Sequence, residues 1–236
     1  MTFLSNLRST AALCVAVAIL GALGACAPLY GASESAPVAP PSVDNPKTPG
    51  SSQTAVIAAG CFWGVQGVFE HVRGVQRVVS GYSGGSKHTA DYETVSGGGT
   101  GHAESVMITF DPAQISYGQI LQIAFSVVHD PTELNRQGPD VGTQYRSAIF
   151  YADPEQRRIA ESYIAQLNRT HAFSRPIVTQ VSQLEGFYPA EGYHQDYLVH
   201  HPSAPYIAFN DLPKLDSFKR EFPDLYRPSP VLAGSR

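Results

Sequence analysis

The sequence has few cysteines, little charge and no apolar run long enough to span a membrane. Among its 236 residues there are three cysteines, and the charged residues, 15% of the chain, leave a net charge of −4 without a long run of one sign. This balance favours neither nucleic acid nor an anionic membrane surface as an electrostatic partner. Because 43% of the residues are hydrophobic, we expect one folded domain with a sizeable core.

The first 26 residues are typical of an export signal. Residues 1–10 carry one arginine and no acid, and residues 11–23 are a 13-residue apolar run, too short for a transmembrane helix of the mature protein. The following Leu-Gly-Ala-Cys looks like a bacterial lipobox, which predicts acylation of Cys26 and a lipid anchor. The alternative is ordinary cleavage after Ala27, which places Pro28 directly after the cut.

A lipobox indicates the periplasmic side of a bacterial cell envelope. Residue 27 is alanine rather than the aspartate that resembles an inner-membrane retention signal, so an outer-membrane anchor is preferred. Residues 27–52 hold six prolines and five serines without apolar periodicity, which predicts a disordered tether. The folded domain is expected over residues 53–236.

The cysteine count bears directly on function. Cys14 lies in the signal and Cys26 is the expected lipid site, so Cys61 is alone in the folded domain. Such a chain cannot form a disulfide within that domain, although its expected compartment favours disulfides. An unpaired thiol there is a liability unless it is buried and inert, or used.

Hydrophobic periodicity predicts strands that alternate with helices. This pattern indicates α+β or α/β layers. The expected strands cover residues 54–59, 77–82, 103–110, 147–151 and, last, 177–184. Two of the expected helices cover residues 61–72 and 153–169. A third helix lies between them; it begins with a capping box formed by Ser116 and Gln119 and ends before His129.

Cys61 is placed in the first turn of the first predicted helix. The partial positive charge of a helix start lowers the pKa of a thiol by well under one unit, so the thiol stays mostly protonated at neutral pH. A reaction at Cys61 therefore needs help from its substrate or from another group. The alternative is that Cys61 is a small core residue at a tight junction between strand and helix.

Glu104 is the candidate acid. Alternation along residues 103–110 puts it on the same face as Val106, Ile108 and Phe110. Burial there would raise the pKa of the carboxyl and allow it to donate a proton near neutral pH. The alternative is a side chain at a fraying strand end that points to water.

No metal site is expected. The eight histidines include no pair at metal-ligand spacing on a convincing helix.

Six motifs occur in order between Gly60 and Leu198: GCFWGVQGVFEHVRGV, GYSGG, DYETVSGGGTGHAESV, FDPAQISY, HDPTELNRQGPDVGTQYRSAIFY and EGYHQDYL. In these motifs the chain resembles the peptide methionine sulfoxide reductases of the A class. The resemblance implies a two-layer α/β sandwich, a mixed sheet flanked by helices, with a long irregular C-terminal segment. It also implies reduction of the S epimer of methionine sulfoxide, free or in proteins.

The resemblance implies a role for each matching residue. Cys61 would attack the sulfoxide sulfur, and Glu104 would donate a proton to the sulfoxide oxygen. The hydroxyls of Tyr92 and Tyr145 would assist that donation. The substrate-binding residues would be Phe62 and Trp63, which receive the methyl group, and Asp140, which lines the pocket.

The chain departs from many members of that family because no cysteine follows Cys61. We therefore expect a single-cysteine enzyme that binds no cofactor. Its sulfenic acid would be reduced by an external thiol, which is a thioredoxin-like protein, a glutaredoxin-like protein or a small thiol compound. The expected partners are oxidised proteins or free methionine sulfoxide and a thiol reductant protein. The chain is expected to be a monomer and to meet the membrane only through its anchor.

Two other functions stay open at this point. Cys61 could serve a thiol peroxidase or peroxide sensor, although the aromatic residues beside it would then have no role. The chain could also be a non-catalytic lipoprotein that binds sulfoxide.

Overall fold

The computed structural model of the protein describes residues 37–234. The expected export signal, the lipidation site Cys26 and the first part of the expected tether lie outside the described residues. All of the expected site residues from Cys61 onward lie inside.

A six-stranded mixed sheet forms the centre of the fold, with the strand order β7-β6-β1-β3-β2-β8. Neighbouring strands run antiparallel except β6 and β7, which are parallel. A separate two-stranded ladder joins β4 and β5. The strands are β1 (Gln53–Ala59), β2 (Val75–Ser83), β3 (Ala103–Phe110), β4 (Arg136–Gln137), β5 (Asp140–Val141), β6 (Ser147–Tyr151), β7 (Gln180–Gln183) and β8 (Phe187–Pro189).

Helices flank the sheet, and short helices alternate with loops in the C-terminal part. A π-helical turn, Ala124–Val128, continues α3, and another, Ile207–Asp211, leads into α6. The helices are α1 (Phe62–Glu70), α2 (Tyr92–Ser96), α3 (Tyr117–Ile123), α4 (Pro154–Arg169), α5 (Tyr197–His200) and α6 (Leu212–Glu221). This arrangement confirms the predicted fold class.

Alternation along the strands separates two clusters of buried apolar residues. On the face that carries α1, α3 and α4, Ile57, Val106 and Ile108 belong to the main core. On the other face, Val56, Ala58 and residues of β6 pack against Met107, Leu184 and Phe187. Glu104 shares the helix-covered face with Val106 and Ile108, as the sequence pattern predicts.

Most predicted elements are confirmed. Strands β3 and β6 have the predicted bounds, and α3 begins with the predicted capping box at Ser116. The prediction of one last strand over 177–184 is wrong, because β7 covers only Gln180–Gln183 and β8 follows it. Strand β8 pairs with the sheet edge at β2, a long-range contact that local periodicity does not contain.

The prediction of a disordered tether is wrong for residues 38–45. Val38 donates to Ser126 Oγ, and the carbonyl of Pro40 accepts from Gln166 Nε2 at 2.9 Å. Asp44 Oδ1 accepts from the backbone N–H of Gly118 at 2.8 Å, so this carboxyl caps α3. The segment has no helix or strand of its own because its proline-rich backbone bonds to α3 and α4 instead.

Candidate active site

A sharp turn between β1 and α1 places Cys61. Gly60 has a φ of +87°, and a Cβ at this position would lie 2.6 Å from Gln137, so a glycine is required here. Helix α1 begins at Phe62, which makes Cys61 the residue directly before the helix rather than a member of its first turn. The thiol is buried at 8% exposure, and the backbone N–H of Trp63 bonds to it.

Burial governs the protonation of Cys61. Loss of hydration raises the pKa of the thiol well above its usual range, and the negative charges of Glu104 and Asp211 raise it further. The Trp63 N–H and the Lys214 ammonium lower the pKa by less. The helix start does lower the pKa as expected, but burial outweighs this effect, and the thiol is protonated at neutral pH as the sequence predicts.

Glu104 is buried beside the cysteine. Its side chain lies in the core-facing row of β3 at 3% exposure, so the alternative of a fraying strand end is wrong. Its Oε2 accepts a 3.1 Å hydrogen bond from the backbone N–H of Phe62. Burial raises the pKa of Glu104 to about 8, although the Phe62 N–H opposes the shift. A protonated carboxyl at neutral pH can act as a proton donor.

Tyr92 and Tyr145 approach the same two groups. Tyr92 begins α2, and its backbone N–H donates to Glu191 Oε1 at 2.9 Å. The pKa of Tyr92 is raised first by burial and then by the negative charges of Glu104 and Cys61. The pKa of Tyr145 is raised by burial and by the negative charges of Glu104, Asp140 and Cys61. Both phenols therefore stay neutral hydrogen-bond donors.

Asp140 joins this cluster from β5. It accepts a hydrogen bond from the hydroxyl of Tyr206, which lies just before the second π-helical turn. The negative charge of Asp140 raises the pKa of Glu104, as expected for two neighbouring carboxyl groups. The structure thus brings together Cys61, Glu104 and Asp140 with the two tyrosines.

Trp63 provides the accessible aromatic surface next to Cys61. Its indole stacks on Tyr197 with the ring centroids 3.9 Å apart and meets Tyr206 edge-on at 5.9 Å. Phe62 is almost fully buried and packs against the rings of Tyr82 and His194. Phe62 therefore supports the aromatic surface from below, whereas Trp63 presents it.

His194 fixes the orientation of the indole. Trp63 Nε1 donates to His194 Nδ1 at 3.1 Å. Because an indole N–H can only donate, Nδ1 is the acceptor and the imidazole proton is on Nε2. Burial lowers the pKa of His194, which keeps this neutral form at neutral pH.

Sequence reasoning missed four residues around the site. His194 and Tyr197 lie in the motif EGYHQDYL, which gave the only available signal for them. Tyr206 and Asp211 come from the C-terminal part, far from Cys61 in sequence and without a local pattern that marks them. Long-range packing alone brings them to the site.

A metal ion has no place in this arrangement. Within residues 37–234, no cluster of three or more His, Cys, Asp or Glu side chains could hold one. The site instead offers one thiol, one neutral carboxyl, several phenols and an aromatic wall, a set suited to proton transfer coupled to attack by sulfur.

Comparison with known proteins agrees with this chemistry. The family model described as peptide methionine sulfoxide reductase matches residues 53–225. Peptide methionine sulfoxide reductase MsrA 2 of Mesorhizobium japonicum is 57% identical over 80% of this chain and 97% of that protein. MsrA 2 of Synechocystis is 55% identical over 73% of this chain and 81% of that protein.

Solved structures show the same fold. Methionine sulfoxide reductase A of Corynebacterium diphtheriae superposes with a TM-score of 0.57 at 31% identity, covering 74% of this chain and 92% of that one. Reduced Mxr1 of Saccharomyces cerevisiae superposes with a TM-score of 0.59 at 29% identity, covering 66% and 90%.

Proposed function

This chain belongs to the peptide methionine sulfoxide reductase family and is an oxidoreductase, and on that premise we propose that Cys61 reduces the S epimer of methionine sulfoxide. The Cys61 sulfur attacks the sulfoxide sulfur and takes over its oxygen. The substrate sulfur gains two electrons and becomes the thioether of methionine, while Cys61 becomes a sulfenic acid. The methionine sulfoxide is free or part of a protein.

The observation that carries this proposal is the buried Glu104 carboxyl beside Cys61. A sulfoxide oxygen is a poor leaving group until it is protonated or strongly hydrogen-bonded as charge develops on it. With a pKa of about 8, Glu104 holds the required proton at neutral pH. Its carboxyl accepts a hydrogen bond from the backbone N–H of Phe62, and Phe62 directly follows Cys61, which carries the attacking sulfur.

The two phenols share this task. Tyr92 and Tyr145 are neutral donors close to Glu104, so their hydroxyls can bond to the sulfoxide oxygen together with the carboxyl. Donors that are fixed before the reaction stabilise the developing charge without reorganisation.

The aromatic surface formed by Trp63 and Phe62 supports selection of one epimer. Methyl and sulfur groups gain ~0.3 to 1.5 kcal/mol from contact with an aromatic ring. A methyl group held against Trp63, with Phe62 below it, leaves the S epimer with its oxygen towards Glu104. The mirror-image sulfoxide directs its oxygen elsewhere and loses the proton donor.

The sulfenic acid is recycled by an external thiol. Within the described part of the chain Cys61 is the free cysteine, and the sequence has no later one. An incoming thiol displaces the sulfenic oxygen as water and forms a mixed disulfide with Cys61, which a second thiol reduces. The donor is a thioredoxin-like or glutaredoxin-like protein, or a small thiol.

The test is epimer-resolved turnover with dithiothreitol as the reductant. The S epimer should be converted to methionine, and Cys61→Ser should abolish the conversion. Consumption of the R epimer alone would contradict the assignment. Hydrogen peroxide turned over far faster than sulfoxide would favour a thiol peroxidase, and saturable sulfoxide binding without product would favour a binding protein.

The cellular location is a separate proposal. We propose that Cys26 is acylated and anchors the protein on the periplasmic side of the bacterial cell envelope, at the outer membrane. Over the residues that the structure describes, no helix is long and apolar enough to cross a membrane. Mass spectrometry of the mature N-terminus tests this: an acylated Cys26 is expected, whereas an N-terminus at Pro28 would exclude the anchor.

A further inference from the structure

The protonated thiol leaves one proton of the reaction without a destination. Burial keeps Cys61 protonated, so its proton must leave as the sulfur attacks. Glu104 cannot accept that proton while it donates its own to the sulfoxide oxygen. A second group is therefore needed near Cys61, ionised when Glu104 is neutral. Two carboxyls whose surroundings separate their protonation states commonly divide the roles of acid and base.

Asp211 is a buried carboxylate that the reaction described above does not use. It ends the π-helical turn before α6 and is fully buried. Its Oδ1 accepts a 2.9 Å hydrogen bond from Lys214 Nζ, an ion pair within one turn of helix. Its Oδ2 is also buried and has no hydrogen-bond partner among residues 37–234. A buried acceptor without a partner has free capacity for a proton.

The packing of Asp211 directs it to the first turn of α1. A Cβ at Gly64 would overlap Asp211 Oδ1, so the carboxyl lies directly against the backbone there. Gly64 is three residues after Cys61, which directly precedes the helix. The carboxyl of Asp211 therefore packs on the turn of α1 that follows Cys61.

The charges around Asp211 agree with this placement. Its negative charge raises the pKa of Cys61, of Glu104 and of Tyr206. Burial raises the pKa of Asp211 itself, Lys214 lowers it, and the charge of Asp140 raises it. Lys214 is thus the one cation that these groups face within the described chain, and it favours the ionised form of Asp211.

Lys214 also connects the pair to solvent. Its side chain is 19% exposed and lines a cleft of about 570 Å³ together with His129 and Gln137. Gln137 packs against Gly60, the residue before Cys61. This cleft therefore brings solvent to Lys214, the ion-pair partner of Asp211.

We propose that Asp211 is the proton acceptor for Cys61, directly or through one water, and that Lys214 keeps Asp211 ionised. The inference rests on the proposed sulfoxide reduction. As the Cys61 S–H bond breaks, its proton moves to Asp211 while Glu104 gives its proton to the sulfoxide oxygen. The oxygen leaves the substrate sulfur for Cys61, and proton return through water restores a neutral Glu104 and an ionised Asp211.

Single-turnover kinetics test this role without any reductant. Enzyme in excess is mixed with the S sulfoxide of an N-acetylated methionine, and the methionine product is measured against time. Asp211→Asn keeps the shape of the side chain but not the base, so the first turnover should slow by ~10². The matched control is Asp216→Asn on the exposed side of α6, which should react like the wild type.

The pH dependence separates a base from a purely structural residue. At low pH the single-turnover rate should fall as Asp211 becomes protonated, and this fall is the acid limb of the pH profile. Lys214→Met removes the cation that lowers the pKa of Asp211, so the acid limb should move to higher pH. Lys219→Met, an exposed control on the same helix, should leave the limb in place. This measurement also applies if Asp211→Asn does not fold.

Two results would overturn the role of Asp211: a wild-type rate in folded Asp211→Asn, or an acid limb that Lys214→Met does not move. Either result would leave the proposed function intact if the wild type still forms methionine. Absence of methionine from the wild type would instead reject sulfoxide reduction itself.

Discussion

Glu104 Oε2 accepts a 3.1 Å hydrogen bond from the backbone N–H of Phe62, the residue that follows Cys61. The start of α1 therefore holds the Glu104 carboxyl next to the residue that follows the Cys61 thiol. Strand β3 supplies the carboxyl and the turn after β1 supplies the thiol, so the sheet fixes the distance between them. In the proposed reaction, a substrate held against Trp63 meets both groups at once.

Activity should fall as the pH rises through about 8. In the proposed reaction the protonated form of Glu104 is the active one, and burial raises its pKa to about 8. Above that pH the carboxyl is ionised and cannot donate, so the single-turnover rate should decrease. In Glu104→Gln the rate should be lower by ~10², and this basic limb should be absent. An unchanged limb in that variant would assign the limb to another group.

Gly64→Ala should reduce both stability and activity. Alanine is the better helix former by ~1 kcal/mol, so local propensity alone predicts a gain. The added Cβ would instead overlap the buried Asp211 carboxyl, and overpacking of this kind costs ~1 to 3 kcal/mol. Urea denaturation and turnover measure the two effects.

The matched control for that variant is Gly50→Ala, where nothing lies within 4 Å of an added Cβ. It should leave both quantities near those of the wild type. Equal behaviour of the two variants would mean that Asp211 does not pack against α1 as described.

The sequence predicts the parts of the site that depend on local pattern. Alternation in residues 103–110 places Glu104 on the core face, and the strand-to-helix break places Cys61 at the start of α1. The pKa of Cys61 was not predictable from its helix position, because burial outweighs the small effect of the helix start. Tyr206 and Asp211 were also missed, since only the tertiary packing of the C-terminal part brings them near Cys61.

Asp44→Ala should destabilise the domain without changing its chemistry. Asp44 caps α3 through the N–H of Gly118 and also accepts from Ser116 Oγ. Loss of such a cap costs ~0.5 to 2 kcal/mol. Chemical denaturation should detect this loss, while Lys47→Ala, an exposed control just after this segment, should show none. Equal stability of the two variants would argue that residues 38–45 are not held on the domain.

Glu70→Gln should weaken the dependence of stability on pH. Burial and the neighbouring Asp196 raise the pKa of Glu70 from 4.5 to about 10. Between these values the folded protein keeps the proton that the unfolded chain has released, so stability falls as the pH rises through this window. The melting temperature of the wild type should decrease more between about pH 6 and about pH 9 than that of Glu70→Gln.

The exposed Glu185→Gln is the control for that comparison and should follow the wild type. If Glu70→Gln also follows the wild type, the carboxyl of Glu70 does not hold its proton in the folded state.

The stoichiometry of methionine formed without any thiol reductant is the decisive measurement of sulfoxide reduction by Cys61. We expect one methionine per folded domain from the S epimer, together with conversion of the Cys61 thiol to a sulfenic acid that a carbon nucleophile can trap. Formation of methionine by Cys61→Ser, or by the wild type with the Cys61 thiol still reduced, would contradict it.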